Sequence, residues 1–312
     1  MAKYNNIYLA NKEMHHQNFN ENEFIKELVT THTYRNLRSP AVLGVYEQRI
    51  KTFQNQKKVV NNKATILLEM INGETLKNKI SYLNSNPESM NNPATKLLYL
   101  MLMIDLSLSI EFLHGRNLIH RDIKPDNIII SNNLEVKLID FGISKFTTNS
   151  CTQTAEKGTI LYEPPENFDL CDVDLTKTDL GEQKRKISKA FDIWSFGLIL
   201  SEIFGSEPPW GEVAGSSITI MKKLMNKERY PIPKLVNTEE NKKLKLLIES
   251  CTETNPDERI KISEVISLLV SIFIDALRET SKNYDISKLF SNNSSSTYIN
   301  NNKLGNNIYL NF

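Results

Sequence analysis

One block of sequence limits this chain more than any other feature: His120-Arg121-Asp122-Ile123-Lys124-Pro125-Asp126-Asn127, followed by Leu138-Ile139-Asp140-Phe141-Gly142. Its carboxylates, carboxamide and cations sit on two loops flanking a predicted hairpin: Ile128-Ile129-Ile130, a turn at Asn132-Asn133, and Glu135–Leu138. Moving a phosphoryl group from a nucleotide needs a divalent metal to neutralise the phosphates. It also needs a group that orients and deprotonates the attacking hydroxyl. Magnesium takes hard oxygen ligands and keeps several waters, so two protein ligands from separate loops suffice. Asn127 and Asp140 are such a pair, which leaves Asp122 as the base and Lys124 as a cation for the moving group.

Composition narrows the alternatives. Thirty-eight Lys and Arg against 37 Asp and Glu leave a formal charge of +1. That balance argues against a nucleic-acid partner, because phosphate contacts need a basic excess. The three cysteines, Cys151, Cys171 and Cys251, are far apart and form no metal or disulfide framework. The apolar stretches Leu97–Ile110 and Val265–Ile274 fall short of the roughly 20 residues that span a bilayer, and the first carries Asp105. No targeting segment stands out at the N-terminus. A chain without a membrane span, in the cytoplasm, is the expectation.

The texture changes along the chain. Ile7–Ala10, Val42–Tyr46 and Ala64–Leu68 read as strands, the last two separated by the polar Gln54–Lys58 turn, and 20–36 reads as a helix. From about residue 94 the pattern is helical, with Lys96–His114, Ala190–Phe204, Lys242–Cys251 and Ile262–Leu277 as the long helices. Asn84–Pro93 reads as a surface loop, and the Asn/Ser-biased end as disordered. The expected architecture is α+β with two lobes: residues 1–71 a small sheet-rich lobe, 72–278 a larger helical lobe, and 279–312 a polar tail.

With these motifs in this order, the chain resembles the eukaryotic protein kinases. Gly158-Thr159 through Tyr162-Glu163-Pro164-Pro165-Glu166 looks like the end of that family's activation segment, with Pro164 in place of the usual alanine. Asp192-Ile193-Trp194-Ser195-Phe196-Gly197 matches the helix that anchors the catalytic loop, and Arg259 matches the late arginine that pairs with Glu166. Leu9-Ala10-Asn11-Lys12 is similar to the strand bearing the nucleotide lysine, and Glu27 stands where the family offers its carboxylate partner, with Glu23 as the alternative. Leu68 is similar to the residue guarding the back pocket, and Thr31 falls where the family packs an apolar side chain.

The resemblance implies ATP and Mg2+ as cofactors and protein Ser/Thr hydroxyls as substrate, Lys124-Pro125 favouring that class over tyrosine. It points weakly to the tyrosine-kinase-like branch. It implies nucleotide contacts at Ala10, Lys12, Glu69, Ile71 and Thr75. Arg121 beside the base implies regulation by a phosphate on the activation segment, at Thr154 first and Thr152 next, while Thr159 reads as structural. An extra run within 168–186, acidic then basic, reads as a solvated loop or a docking surface for a partner.

One family element is missing from the sequence. No glycine lies among the eleven residues before Lys12, so the Gly-rich loop over the phosphates and the first two strands are not expected, which leaves Ile7–Ala10 as a bare sheet edge. Two readings follow, an active Ser/Thr kinase and a pseudokinase or scaffold module with weak or no catalysis. A small-molecule kinase shares the Asp/Asn logic but would not carry the whole motif set.

Overall fold

The computed structural model describes residues 2–4, 7–14, 25, 27–31, 41–54, 57–141, 145–146, 160–168 and 188–283. It opens with an antiparallel sheet of β1 (Ala2–Tyr4), β2 (Ile7–Met14), β3 (Val42–Gln54) and β4 (Lys57–Glu69), in the order β1-β2-β4-β3. The edge expected to be bare is not: Ala2, Lys3 and Tyr4 pair with Leu9, Tyr8 and Ile7. Two intervening residues are enough for an antiparallel return.

The β3–β4 hairpin also runs far past its apolar segments, with pairing continuing from Val42↔Leu68 out to Gln54↔Lys57. Thr52, Val59 and Val60 favour extended backbone, and ladder bonds join backbone groups whatever side chains the strands carry. Near the base, Ile66 is buried at 1% and packs with Leu28, Val42 and Leu68. Leu28 belongs to the helical stretch 27–31, so this small core fixes that stretch against the sheet.

A second sheet begins the helical part. In β5 (Gly73–Thr75), a Cβ on Gly73 would lie 2.1 Å from the Ile130 carbonyl, so only glycine permits the pairing. Thr75 then caps α1 (Leu76–Ser85), its hydroxyl accepting from Asn78 N at 3.3 Å. The segment expected as loop forms a 3-10 turn over Pro87–Asn91, and α2 (Pro93–His114) follows, capped by Asn92 and started by Pro93.

By length and composition α2 could cross a membrane, but 61% of its apolar window is buried inside the domain. Asp105 on it accepts Val136 N–H at 2.9 Å, and Ser107 and Ser109 bond to their own helix backbone. It is a core helix.

After β6 (Leu118–Ile119) come β7 (Ile128–Ser131) and β8 (Val136–Leu138), which complete the sheet β5-β7-β8. β9 (Lys145–Phe146) pairs with β6. The centre of the large core is α3 (Ala190–Gly205), buried at every position from Phe191 to Gly205. A helix apolar on all sides must be enclosed, and α4 (Ser217–Met225), α5 (Lys242–Cys251) and α6 (Ile262–Asn283) complete the helical assembly. α6 continues past Leu277, and Thr280 on it is buried. This is the expected α+β arrangement of a small sheet and a helical lobe.

Candidate active site

The site is built outward from Asp192, which is 0% exposed in the first turn of α3. Its carboxylate accepts His120 N–H at 2.9 Å and Arg121 N–H at 2.8 Å, and meets His114 Nε2 at 2.8 Å. Burial alone would raise its pKa, but the His114 hydrogen bond, the neighbouring imidazoles and the Arg121 amide hold it below the ordinary value. The result is an ionised anchor under the loop, and Arg121 adopts φ +70° above it.

His120 links that loop to the next. Its Nδ1 receives Asp122 N–H at 3.3 Å and its Nε2 lies 3.2 Å from the Ile139 carbonyl. An amide can only donate and a carbonyl only accept, so the neutral tautomer with Nε2–H satisfies both. Complete burial lowers the pKa and keeps the ring neutral. The ring also packs against Phe141, which is 3% exposed, with centroids 5.0 Å apart and planes tilted by 59°.

Asp122, Lys124 and Asn127 converge. Asp122 Oδ2 is 2.8 Å from Lys124 Nζ and 2.7 Å from Asn127 Nδ2, and Asn127 Nδ2 also donates to Asp122 O at 2.9 Å. Asp122 Oδ1 is buried without a hydrogen-bond partner among the described residues. An orphaned carboxylate oxygen is costly unless a ligand completes it. Asn127 in turn accepts Ile139 N–H on its backbone carbonyl at 2.9 Å, which brings the Asp140 loop alongside.

Lys12 reaches this point from the small sheet. Its ammonium bonds to Glu27, itself 4% exposed, and to Asp140 Oδ1 at 2.6 Å. Burial opposes the charge, but Asp140 and Glu27 outweigh it, and the pKa is raised. Asp140 sits at φ +66° with its side chain 42% exposed. Asp140 and Asn127 present hard oxygens, and with Asn127 Nδ2 spent on Asp122 its Oδ1 remains for a cation. A set this small suits magnesium, which retains waters, and no group of three or more His, Cys, Asp or Glu that could hold a metal occurs among the described residues.

The other expected nucleotide contacts are more scattered. Ala10 pairs with Leu68, both half-buried, and Ile71 lies half-buried just past β4. Glu69 clasps Ala41, its N–H donating to Ala41 O at 2.8 Å and its Oε2 accepting Ala41 N–H at 3.2 Å. Thr75, expected as a ribose contact, caps α1 with its hydroxyl oxygen, which keeps its own O–H to donate. Thr31 is 5% exposed.

Glu166 and Arg259 form a two-pronged pair at 2.7 and 3.0 Å. Arg259 also donates to Glu253 O and Ala190 O, each at 2.8 Å, and lies 5.1 Å from the Trp194 ring. Arg121 is 2% exposed, 6.0 Å from the Phe191 ring. Thr152, Thr154, Thr159, Glu23 and most of 168–186 lie outside the described residues.

Two buried carboxylates have no role in the sequence reading. Glu163 is 4% exposed, and burial raises its pKa against Asn167 and Arg121, with Asp122 and Lys124 within electrostatic reach. Glu202 accepts Tyr162 O–H at 2.6 Å, and burial pushes its pKa up to about 7. Glu163 stood inside a quoted motif. Glu202 lies among apolar residues of α3, where only the packing reveals its partner.

The family model described as protein kinase domain matches residues 1–269. The chain is 35% identical over 161 residues to serine/threonine-protein kinase ppk34 of Schizosaccharomyces pombe, covering 52% of this chain and 40% of that protein. It is 32% identical over 155 residues to mitogen-activated protein kinase kinase kinase 3 of Arabidopsis thaliana, 50% of this chain and 22% of the relative. It is 29% identical over 230 residues to the Aurora kinase of Eremothecium gossypii, 73% of this chain and 52% of the relative. The matches thus span about half or less of these relatives' lengths. A family match over most of the chain, on a site with this geometry, makes the chain a member of the protein kinase family.

Proposed function

We propose that this chain transfers the terminal phosphoryl group of ATP to serine or threonine hydroxyls of proteins. The observation that carries the reading is a carboxylate on Asp122 fixed by Lys124 and Asn127, whose Oδ1 is buried with no hydrogen-bond partner among the described residues. A substrate hydroxyl bonded there gives its proton to Asp122 as its oxygen forms the new bond to phosphorus. The bond from that phosphorus to the bridging oxygen breaks, and ADP leaves with the electron pair. Lys124 balances charge on the moving group.

Lys12, steadied by Glu27, grips the phosphates, while the backbone near Glu69 and Ile71, with Ala10 above, receives the base. Asn127 and Asp140 would hold Mg2+, which supplies neutralisation of phosphate charge. The Ser/Thr class rests on Lys124-Pro125 and on relatives bearing that name. We extend the reading to a cytoplasmic protein switched by phosphate at Thr154 or Thr152 near Arg121, with a partner docking on 168–186.

One observation favours a second reading, a kinase-shaped module that binds nucleotide without transfer. The paired strands β1 and β2, the second of which carries Lys12, hold no glycine that would bring backbone amides close to the phosphates. Labelled Mg·ATP, offered with a generic basic protein to this chain and to Asp140→Ala, separates the two. Transfer that vanishes in the variant supports the kinase. Nucleotide binding without transfer in either protein supports the binding module.

A further inference from the structure

Transfer as proposed gives no part to one carboxylate beside it. Glu163 is 4% exposed, and its charge acts on Arg121, Asp122 and Lys124. Asp122 and Lys124 are the groups assigned to the accepting hydroxyl and the moving phosphoryl group. A peptide that offers a serine to them therefore brings its neighbouring residues towards Glu163. Successive residues of an extended peptide are about 3.3 Å apart, and charge acts strongly over such distances where water is excluded.

The frame around this carboxylate is stiff. Ser195 Oγ on α3 donates to Tyr162 O at 2.8 Å, Tyr162 O–H donates to Glu202 at 2.6 Å, and Trp210 Nε1 donates to Leu161 O at 3.2 Å. On the other side Pro164 and Pro165 are buried, their rings fixing the backbone, and Glu166 is paired with Arg259. The Glu163 carboxylate accepts Asn167 Nδ2–H, a neutral donor. Its charge is incompletely offset: burial raises its pKa, and Asn167, Arg121 and Lys124 pull it down without cancelling that rise. Lys124 is shared, its ammonium lying 2.8 Å from Asp122 Oδ2.

We infer that Glu163 is a specificity-determining residue, whose negative charge selects substrates with a lysine or arginine directly beside the serine or threonine that takes the phosphate. The inference rests on the transfer reading for the place of the hydroxyl. An arriving cation supplies the missing counter-charge to a group already held in position. An uncharged side chain supplies none, and an acidic one meets the like charges of Glu163 and Asp122.

The test uses the full chain, Mg·ATP and three peptides with a single serine, flanked on both sides by arginine, by its uncharged isostere citrulline, or by glutamate. The parent is expected to favour arginine over citrulline about tenfold in kcat/KM, with glutamate poorest. In E163Q, which keeps an acceptor for Asn167, the arginine-to-citrulline ratio is expected to fall to near one. In E163K the order is expected to invert towards glutamate, which a purely structural role would not produce. Melting curves that match the parent's show that both variants fold. A parent indifferent to the flanking charge overturns the inference and leaves the transfer reading intact, and an arginine preference that survives in either folded variant also overturns it. If no peptide is phosphorylated, the transfer reading fails by itself. Anisotropy with labelled forms of the same peptides then reads the inference: the same order of binding, lost in E163Q, supports it, and equal binding or none overturns it.

Discussion

Asp192 Oδ1 accepts the Arg121 N–H at 2.8 Å, and above that bond Arg121 stands in the left-handed backbone region at φ +70°. A non-glycine residue there needs surrounding structure to hold it. The neighbouring bond from His120 N–H makes the grip two-pointed, so the helix α3 sets the geometry of a loop 71 residues earlier in the chain.

Asp192→Ala therefore leaves two buried amides without an acceptor. At about 1–3 kcal/mol for each unsatisfied group, denaturant unfolding should show a loss of about 2–6 kcal/mol. Any protein that still folds should transfer phosphate at least about a hundredfold more slowly, because Asp122 loses its position.

Glu202 gives a pH signature. Its folded pKa of about 7 lies above the ordinary 4.5, so the fold favours the protonated form and the unfolded chain ionises first. The penalty is absent below about pH 4.5, grows as pH rises, and is complete above about pH 7. Glu202→Gln can still accept from Tyr162 O–H and carries no such penalty. Its stability relative to the parent should rise by about 3 kcal/mol between pH 5 and pH 8 in urea titrations.

Arg259→Lys should not behave as a conservative change. The arginine spends its fork on both Glu166 oxygens and two carbonyls, and an ammonium cannot reproduce that geometry. Arg259→Ala, which strands a half-buried carboxylate, should cost about 3–5 kcal/mol, with the lysine variant in between. Double-mutant cycles with Glu166→Gln measure the coupling.

Lys12→Met removes the cation shared by Glu27 and Asp140. The expected result is a fall of about 10²–10³ in phosphate transfer at a smaller cost in nucleotide affinity. Glu27→Gln, which leaves Lys12 in place with Asp140, should lose less. Steady-state kinetics on both variants orders them.

Gly197→Ala tests how α3 meets α5. A Cβ there would lie 2.5 Å from Cys251 Cβ, and overpacking of this kind costs about 1–3 kcal/mol. A melting temperature equal to the parent's would show that the two helices can part without penalty.

Much of the large lobe was legible because its helices carry long apolar stretches at helical spacing. Lys242–Cys251 was placed to the residue, and α3 within one. The β3–β4 hairpin was read too short, since its outer pairing runs through polar residues that give no period-two signal. The cap that Thr75 gives α1 was not read from the sequence, since a hydroxyl before a helix shows its partner only when the Asn78 amide is seen to donate to it.

The sequence by itself determined which chemistry-bearing groups are present and in what order: a lysine and a glutamate first, then a carboxamide between two aspartates. Motif spacing is local, and the residues within each block are fixed relative to one another by a few bonds. Only the tertiary structure decided that Lys12, Glu27 and Asp140 meet, and that one Asp122 oxygen is buried with no partner among the described residues. It alone showed that Glu202 and Glu163 are buried. Those facts depend on burial and on contacts between residues tens to hundreds of positions apart, and desolvation acts only once the chain has closed around them.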